Sequence, residues 1–165
     1  MAGAPLRDPS LSHENVVPLR TFAAVYERER PGLLKVAFLL TGSDEVAEDL
    51  VQDAFVGLHR RFASVQQPGA YLRRSVINGA HSHHRKLRVR RRVPLARDTT
   101  ADLGADEMLD LLAALPARQR AAVVLRFYED LSEQAIADAL GVRAGTVGSL
   151  IHRGLARLRQ QMEET

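Results

Sequence analysis

At 165 residues, with a hydrophobic fraction of 45%, the chain can build one ordinary domain or two small helical ones, and wholesale disorder is excluded. The absence of cysteine excludes disulfides and thiolate zinc sites. No stretch approaches the ~20 apolar residues needed to span a bilayer and no signal-peptide pattern opens the sequence, so the expectation is a cytoplasmic protein in a reducing compartment, away from the membrane.

Aromatic residues make up 5% of the chain and alternating β-branched runs are missing. Arg, Leu, Ala and Glu dominate, so the expected class is all-α. Net charge is only +3, but it is segregated: residues 71–92 hold eight Arg or Lys and no acid, whereas Asp44 to Asp53 hold five acids and no base. Adjacent runs of opposite sign point to two surfaces for two partners.

In chain order, residues 1–18 carry three prolines without periodicity and are expected to form a loose arm. A helical pattern starts at Arg20, with Phe22, Val25 and Tyr26 on one side, and Pro31 is expected to break or restart it. The next helix runs to about Leu40 and ends on Thr41-Gly42, a C-terminal cap. Ser43 is an N-cap for the following helix, with Asp44 and Glu45 in its first turn. Ala47, Leu50, Val51, Ala54, Leu58 and Phe62 form its apolar stripe; Glu45, Glu48, Asp49, Gln52 and Asp53 lie opposite. After Gln67-Pro68-Gly69 another helix carries Leu72, Val76 and Ala80 inward and continues into the basic segment ending at Arg92. From Pro94 to about Asp106 the periodicity lapses, a polar linker containing Asp98, Asp102 and Asp106. Helical pattern resumes at Met108.

Leu115-Pro116 opens a helix containing Ala121, Val124, Leu125 and Phe127-Tyr128. Ser132 caps a short helix, Glu133 to Leu140, and Gly141 sits where the chain must turn sharply. A longer helix follows from about Ala144, with Val147, Ile151, Leu155, Leu158 and Met162 on one face. A short helix, a glycine turn and a longer helix make the geometry of a DNA-reading helix-turn-helix. Its outward face presents Thr146, Ser149, His152 and Arg153, with Arg143 just before it. Arg153 is the best candidate for a guanine or phosphate contact. An ordinary helical hairpin with a basic solvent face is the alternative.

The string Ala47 to Phe55 (AEDLVQDAF) strongly resembles the region-2.2 signature of sigma-70-family factors, and Tyr71 to Asn78 (YLRRSVIN) looks like their regions 2.3 to 2.4. Leu115-Pro116 through Leu158 is similar to region 4, including Leu131-Ser132, Ile136-Ala137, Leu140-Gly141 and Gly145-Thr146-Val147. The lack of regions 1.1 and 3 resembles the compact extracytoplasmic-function (ECF) group, and Phe38 to Gly42 looks like its actinobacterial branch. The resemblance covers about residues 20–160, with motifs in family order.

It implies two small helical domains: an arm over 1–18, a region-2 bundle over 19–92, a linker over 93–106 and a region-4 helix-turn-helix over 107–165. The implied function is a non-enzymatic ECF sigma factor. It would bind core RNA polymerase at the β′ clamp coiled coil and β flap, read the −35 element with region 4 and the −10 element with region 2, and melt DNA to start transcription. Glu48, Asp49, Gln52 and Asp53 would meet the coiled coil, although a merely solvated face stays open for any one of them. Tyr71, Arg73, Arg74, Asn78, Arg85 and Lys86 would serve the −10 element, where aromatics or amides hold unstacked bases and arginines hold the backbone. Asn78 has the alternative role of a structural hydrogen bond closing the 66–70 loop. Lys86, Arg88, Arg90, Arg91 and Arg92 would track phosphates with Arg85. Arg143, Thr146, Ser149, His152 and Arg153 would read the −35 element.

No cofactor is implied. His81 and His84 share a helix face, but no carboxylate accompanies them, so no metal site is expected. An anti-sigma factor is a further candidate partner. The acidic linker either mimics nucleic-acid charge in the polymerase cleft or serves as a tether. Where the family usually places basic residues, this chain has Gly148 and Leu150. Gly148 removes a DNA contact and costs about 1 kcal/mol of helix stability; Leu150 either packs inward or marks a protein contact. These departures keep a rival open, a sigma-like decoy that sequesters an anti-sigma factor without directing transcription.

Overall fold

The computed structural model describes residues 21–90 and 103–164, of which 103–105 by backbone alone. The expectations for the arm, for Arg91 and Arg92 and for most of the linker lie outside these. Seven helices run through the described residues: α1 (Phe22–Thr41), α2 (Asp44–Arg61), α3 (Pro68–Arg90), α4 (Leu103–Ala113), α5 (Ala117–Phe127), α6 (Glu133–Leu140) and α7 (Ala144–Glu163).

Local signals account for most of the boundaries. The Thr21 and Ser43 side chains accept from the Ala24 and Val46 amides and start α1 and α2. Ser132 accepts from Ala135 and starts α6. Gly42 and Gly141 adopt left-handed φ of 71° and 64°, a conformation that suits residues without Cβ. Their amides donate to the Phe38 and Ala137 carbonyls, so α1 and α6 both end by the mechanism expected of a glycine C-cap.

Pro31 does not break α1, which runs continuously through it. A proline ring inside a helix forfeits one hydrogen bond and costs about 3 kcal/mol, but Pro31 is exposed. Val25 before it and Leu33, Val36, Ala37 and Leu40 after it are all buried. Packing of one continuous face on both sides outweighs the local loss. At the other end of the chain, Met162 is 66% exposed, because the last turns of α7 run past the core. α4 starts at Leu103, earlier than the resumption of periodicity near Met108.

The N-terminal half is a three-helix bundle, α1 against α2 and α3, around Val25, Phe55, Leu58, Leu72 and Val76. Phe22 and Tyr26 close its open end against Phe55, with the rings of Phe22 and Phe55 edge to face at 6.1 Å. In the C-terminal half α5 packs against α6 and α7. Residues 119–125 of α5 are buried without interruption, which one apolar stripe cannot explain. The cause is that α1 and α3 pack on the remaining side of α5, while α6 also meets α3. Val36, Leu40, Ile77 and Ala80 thereby share one core with Leu125, Ile136 and Val147. Two domains are present, and the structure holds them face to face.

Candidate functional site

The acidic surface belongs to α2. Glu48, Asp49, Gln52 and Asp53 are all exposed, opposite the buried Ala47, Val51, Ala54 and Leu58. Glu45, Asp49, Gln52 and Val56 follow one another at helical spacing. Val56, 41% exposed, adds an apolar step to the same ridge.

The basic surface of α3 divides into two faces. Tyr71, Arg74, Asn78 and Arg85 fall at three-, four- and seven-residue intervals and share one stripe. Arg74, Asn78 and Arg85 are exposed along it, and Tyr71 is half-buried. The phenol of Tyr71 leans toward α2: a Cβ at Gly57 would meet its hydroxyl at 2.8 Å. Asn78 lines a groove with His81, Ser82, Arg85 and Arg118, rather than reaching the 66–70 loop. Arg85 donates to the Ser82 Oγ at 3.2 Å, and Lys86 is exposed on another side. Arg73 stands apart. It lies on the stripe of Ile77, Ala80 and His84 that faces the C-terminal half, where its guanidinium meets the Glu129 carboxylate at 3.7 Å.

On α7, Arg143, Thr146, His152 and Arg153 are exposed and Ser149 is half-buried. Thr146, Ser149 and Arg153 share a stripe, flanked by His152, and Arg143 precedes the first turn. The two unusual positions of this helix resolve differently. Leu150 packs inward against the core. A Cβ at Gly148 would have only the Glu133 carboxylate, at 3.8 Å, within ordinary contact, so space exists there for a side chain the chain does not supply. Gly154 is buried, and a Cβ would meet Val123 Cγ2 at 2.8 Å, so even a methyl group there would force Val123 to shift.

Sequence reasoning missed the junction between the halves. Arg120 is buried and donates to the Ala113 and Leu115 carbonyls of its own half. It also donates to the Leu40 carbonyl at the end of α1, at 2.7 Å. His84 Nε2 lies 2.7 Å from the same carbonyl and 3.2 Å from the Arg120 guanidinium. Burial, and then the Arg120 charge, push His84 below the usual histidine range against a raising hydrogen bond to Leu40. Burial does the same to His81, opposed by the backbone at Ala117. The sequence carried little signal for it: Arg120 stands at the polar edge of the apolar stretch 121–125, after Arg118 and Gln119, and only its burial shows that it needs partners.

The two halves correspond to known modules. Residues 25–90 match the family model described as Sigma-70 region 2, and residues 105–158 match Sigma-70, region 4. An RNA polymerase sigma-E factor of Streptomyces avermitilis is 37% identical over 150 residues, covering 84% of this chain and 83% of that protein. The ECF RNA polymerase sigma factor SigM of Mycobacterium tuberculosis is 33% identical over 146 residues, with 83% of this chain and 74% of the relative covered. Among solved structures, the sigma factor RpoE of Bartonella quintana, in complex with the anti-sigma factor NepR, superposes with a TM-score of 0.71 at 25% identity, over 86% of this chain and 96% of that one. CnrH, solved with the cytosolic domain of CnrY, shares the fold with a TM-score of 0.72 at 22% identity, over 90% and 91% of the two chains. With both sigma modules in family order and relatives matching along most of its length, the chain belongs to the ECF group of sigma-70-family RNA polymerase sigma factors.

Proposed function

We propose that this sigma factor docks on core RNA polymerase through the exposed acidic ridge of α2 and reads promoter DNA through α3 and α7. The observation that carries the reading is the separation of charge onto different helices. Glu48, Asp49, Gln52 and Asp53 present an acidic ridge suited to a basic coiled coil of the β′ clamp. The stripe of Tyr71, Arg74, Asn78 and Arg85 suits an unstacked −10 strand, with the amide of Asn78 free to hydrogen-bond a base edge and the guanidinium groups on phosphates. Arg73 and Lys86 extend this surface, Arg73 once its partner Glu129 withdraws. Arg143, Thr146, Ser149, His152 and Arg153 form the −35 reader, with the β flap as the second polymerase contact of region 4. The protein works in the cytoplasm, where the polymerase is, without a cofactor and without catalysing a reaction of its own.

An anti-sigma factor is a second partner, by analogy with the RpoE–NepR pairing. The docking assignment is tested by Asp49→Lys combined with Asp53→Lys. The doubly reversed protein should lose at least tenfold in recovery with core enzyme in a pull-down, while isolated −35 duplex binding stays unchanged. Full recovery removes these residues from the interface.

A further inference from the structure

The −10 and −35 elements lie about 25 base pairs apart, or roughly 85 Å at ~3.4 Å per pair. A compact chain of this length has a radius of gyration of about 15 Å. With α3 packed on α5 and α6, the two DNA-reading helices belong to one body too small to touch both elements. Twelve residues separate Arg90 from Leu103 and reach at most about 43 Å when extended, so the halves can separate widely once their junction opens. Promoter reading requires that opening.

We propose that the Arg120–Leu40–His84 junction is an acid-labile latch that holds regions 2 and 4 together in the free protein. This rests on the assignment of α3 and α7 as the two DNA readers. The latch joins three helices at one atom: the Leu40 carbonyl, among the last of α1 and lacking a partner within its helix, accepts from Arg120 of α5 and lies against His84 of α3. The 2.7 Å contact requires a hydrogen on Nε2, so His84 is the Nε2–H tautomer and donates to Leu40. Neutral His84 can stand 3.2 Å from the Arg120 guanidinium; a protonated ring there sets cation against cation in a half-buried site. The charges acting on the two rings are all positive: His81 and His83 of α3 with Arg120 of α5 on His84, and Arg85 of α3 with Arg118 and Arg120 of α5 on His81. Elsewhere on the same seam, eleven residues from His84 along α3, the Glu129 carboxylate meets Arg73 and so takes the place of a DNA phosphate.

The sign follows from linkage. Burial holds both histidines below their usual value of 6.5 in the closed form, whereas opening returns them to it. Above about pH 6.5 both forms are neutral and the closed form carries no penalty. As pH falls below that value the open form binds protons first, and closure weakens until the closed-form values are passed.

The absence of cysteine makes a paired label unambiguous. Ala63→Cys and Ala156→Cys, both at exposed positions, would carry a fluorophore pair on the full chain, without polymerase or DNA. Energy transfer should be high at pH 8 and fall on titration from pH 7 to pH 5.5, with helical circular dichroism unchanged. With His81→Gln and His84→Gln added, transfer should stay high over the same range, because glutamine can still donate to Leu40 and cannot titrate. Arg120→Ala should lower transfer already at pH 8. Because Arg120 also holds the α4–α5 corner, the histidine pair keeps the test decisive if that variant unfolds. Transfer that is flat with pH in the parent protein, or equal loss in the glutamine variant, overturns the latch. Either result leaves the assignment of the DNA-reading helices standing, since that is read by transcription and not by this measurement.

Discussion

Two glycines of α7 separate packing from function at the level of single atoms. At Gly154 the nearest obstacle is Val123 Cγ2, 2.8 Å from where a Cβ would stand, on a β-branched side chain with little freedom to move. Overpacking of this kind costs about 1–3 kcal/mol, against about 1 kcal/mol gained in helix propensity. Gly154→Ala should therefore lower stability in a denaturant titration, by about 1 kcal/mol. Gly148 has room, with one contact at 3.8 Å, so Gly148→Ala should raise stability by about 0.5–1 kcal/mol. Opposite signs at two glycines six residues apart in one helix are the expected outcome; equal signs would show that the helix packing differs from that described. Gly154 therefore has a structural reason, and Gly148 leaves the recognition helix softer and less basic with no packing reason for it.

At the scale of the element, the proposed DNA readers α3 and α7 would make different demands on DNA. Arg153 is exposed mid-helix on the stripe that also carries Thr146 and the half-buried Ser149, the proposed base-reading stripe, whereas Arg85 lies beyond Asn78 toward the basic end of α3. Arg153→Ala should cost about 1–3 kcal/mol on the native −35 sequence and much less on a scrambled one. Arg85→Ala should weaken all sequences alike and reduce the slope of log affinity against log salt by about 1. Binding isotherms at several salt concentrations measure both, and identical behaviour of the two variants would contradict the groove assignment. The legibility of these elements followed their chemistry. α2 and α6 were readable because a cap and an amphipathic stripe agreed at each, as at Ser43 with Ala47 and Val51, or Ser132 with Ile136, and the start of α7 because the Gly141 turn precedes it. Pro31 misled because its cost is local and the packing that overrides it is not. α5 was only partly readable, since its second buried side exists through α1 and α3, which lie far away in sequence.

For the whole molecule, the two modules were legible from the order of their motifs, and the surfaces of α2 and α7 from charge at helical spacing. Their packing against each other was not legible. It depends on Leu40, Ile77 and Ala80 meeting α5 and α6, residues that also read as ordinary core of region 2. The junction is moreover centred on a backbone carbonyl, which no side-chain pattern reveals. Arg73 shows the consequence: assigned to DNA by its place in the family motif, it is held by Glu129 from the other half in this closed arrangement. The molecule thus carries both sigma modules packed into one body, with α3 and α7, the proposed readers, on that same body.

Run-off transcription with the purified chain and core RNA polymerase is the most direct measurement of the central claim. Templates carrying paired −35 and −10 elements should give discrete transcripts that depend on the added chain, and scrambling either element should abolish them. No chain-dependent transcript from any template, together with tight binding of an anti-sigma factor, would contradict the account and leave a sigma-like decoy in its place.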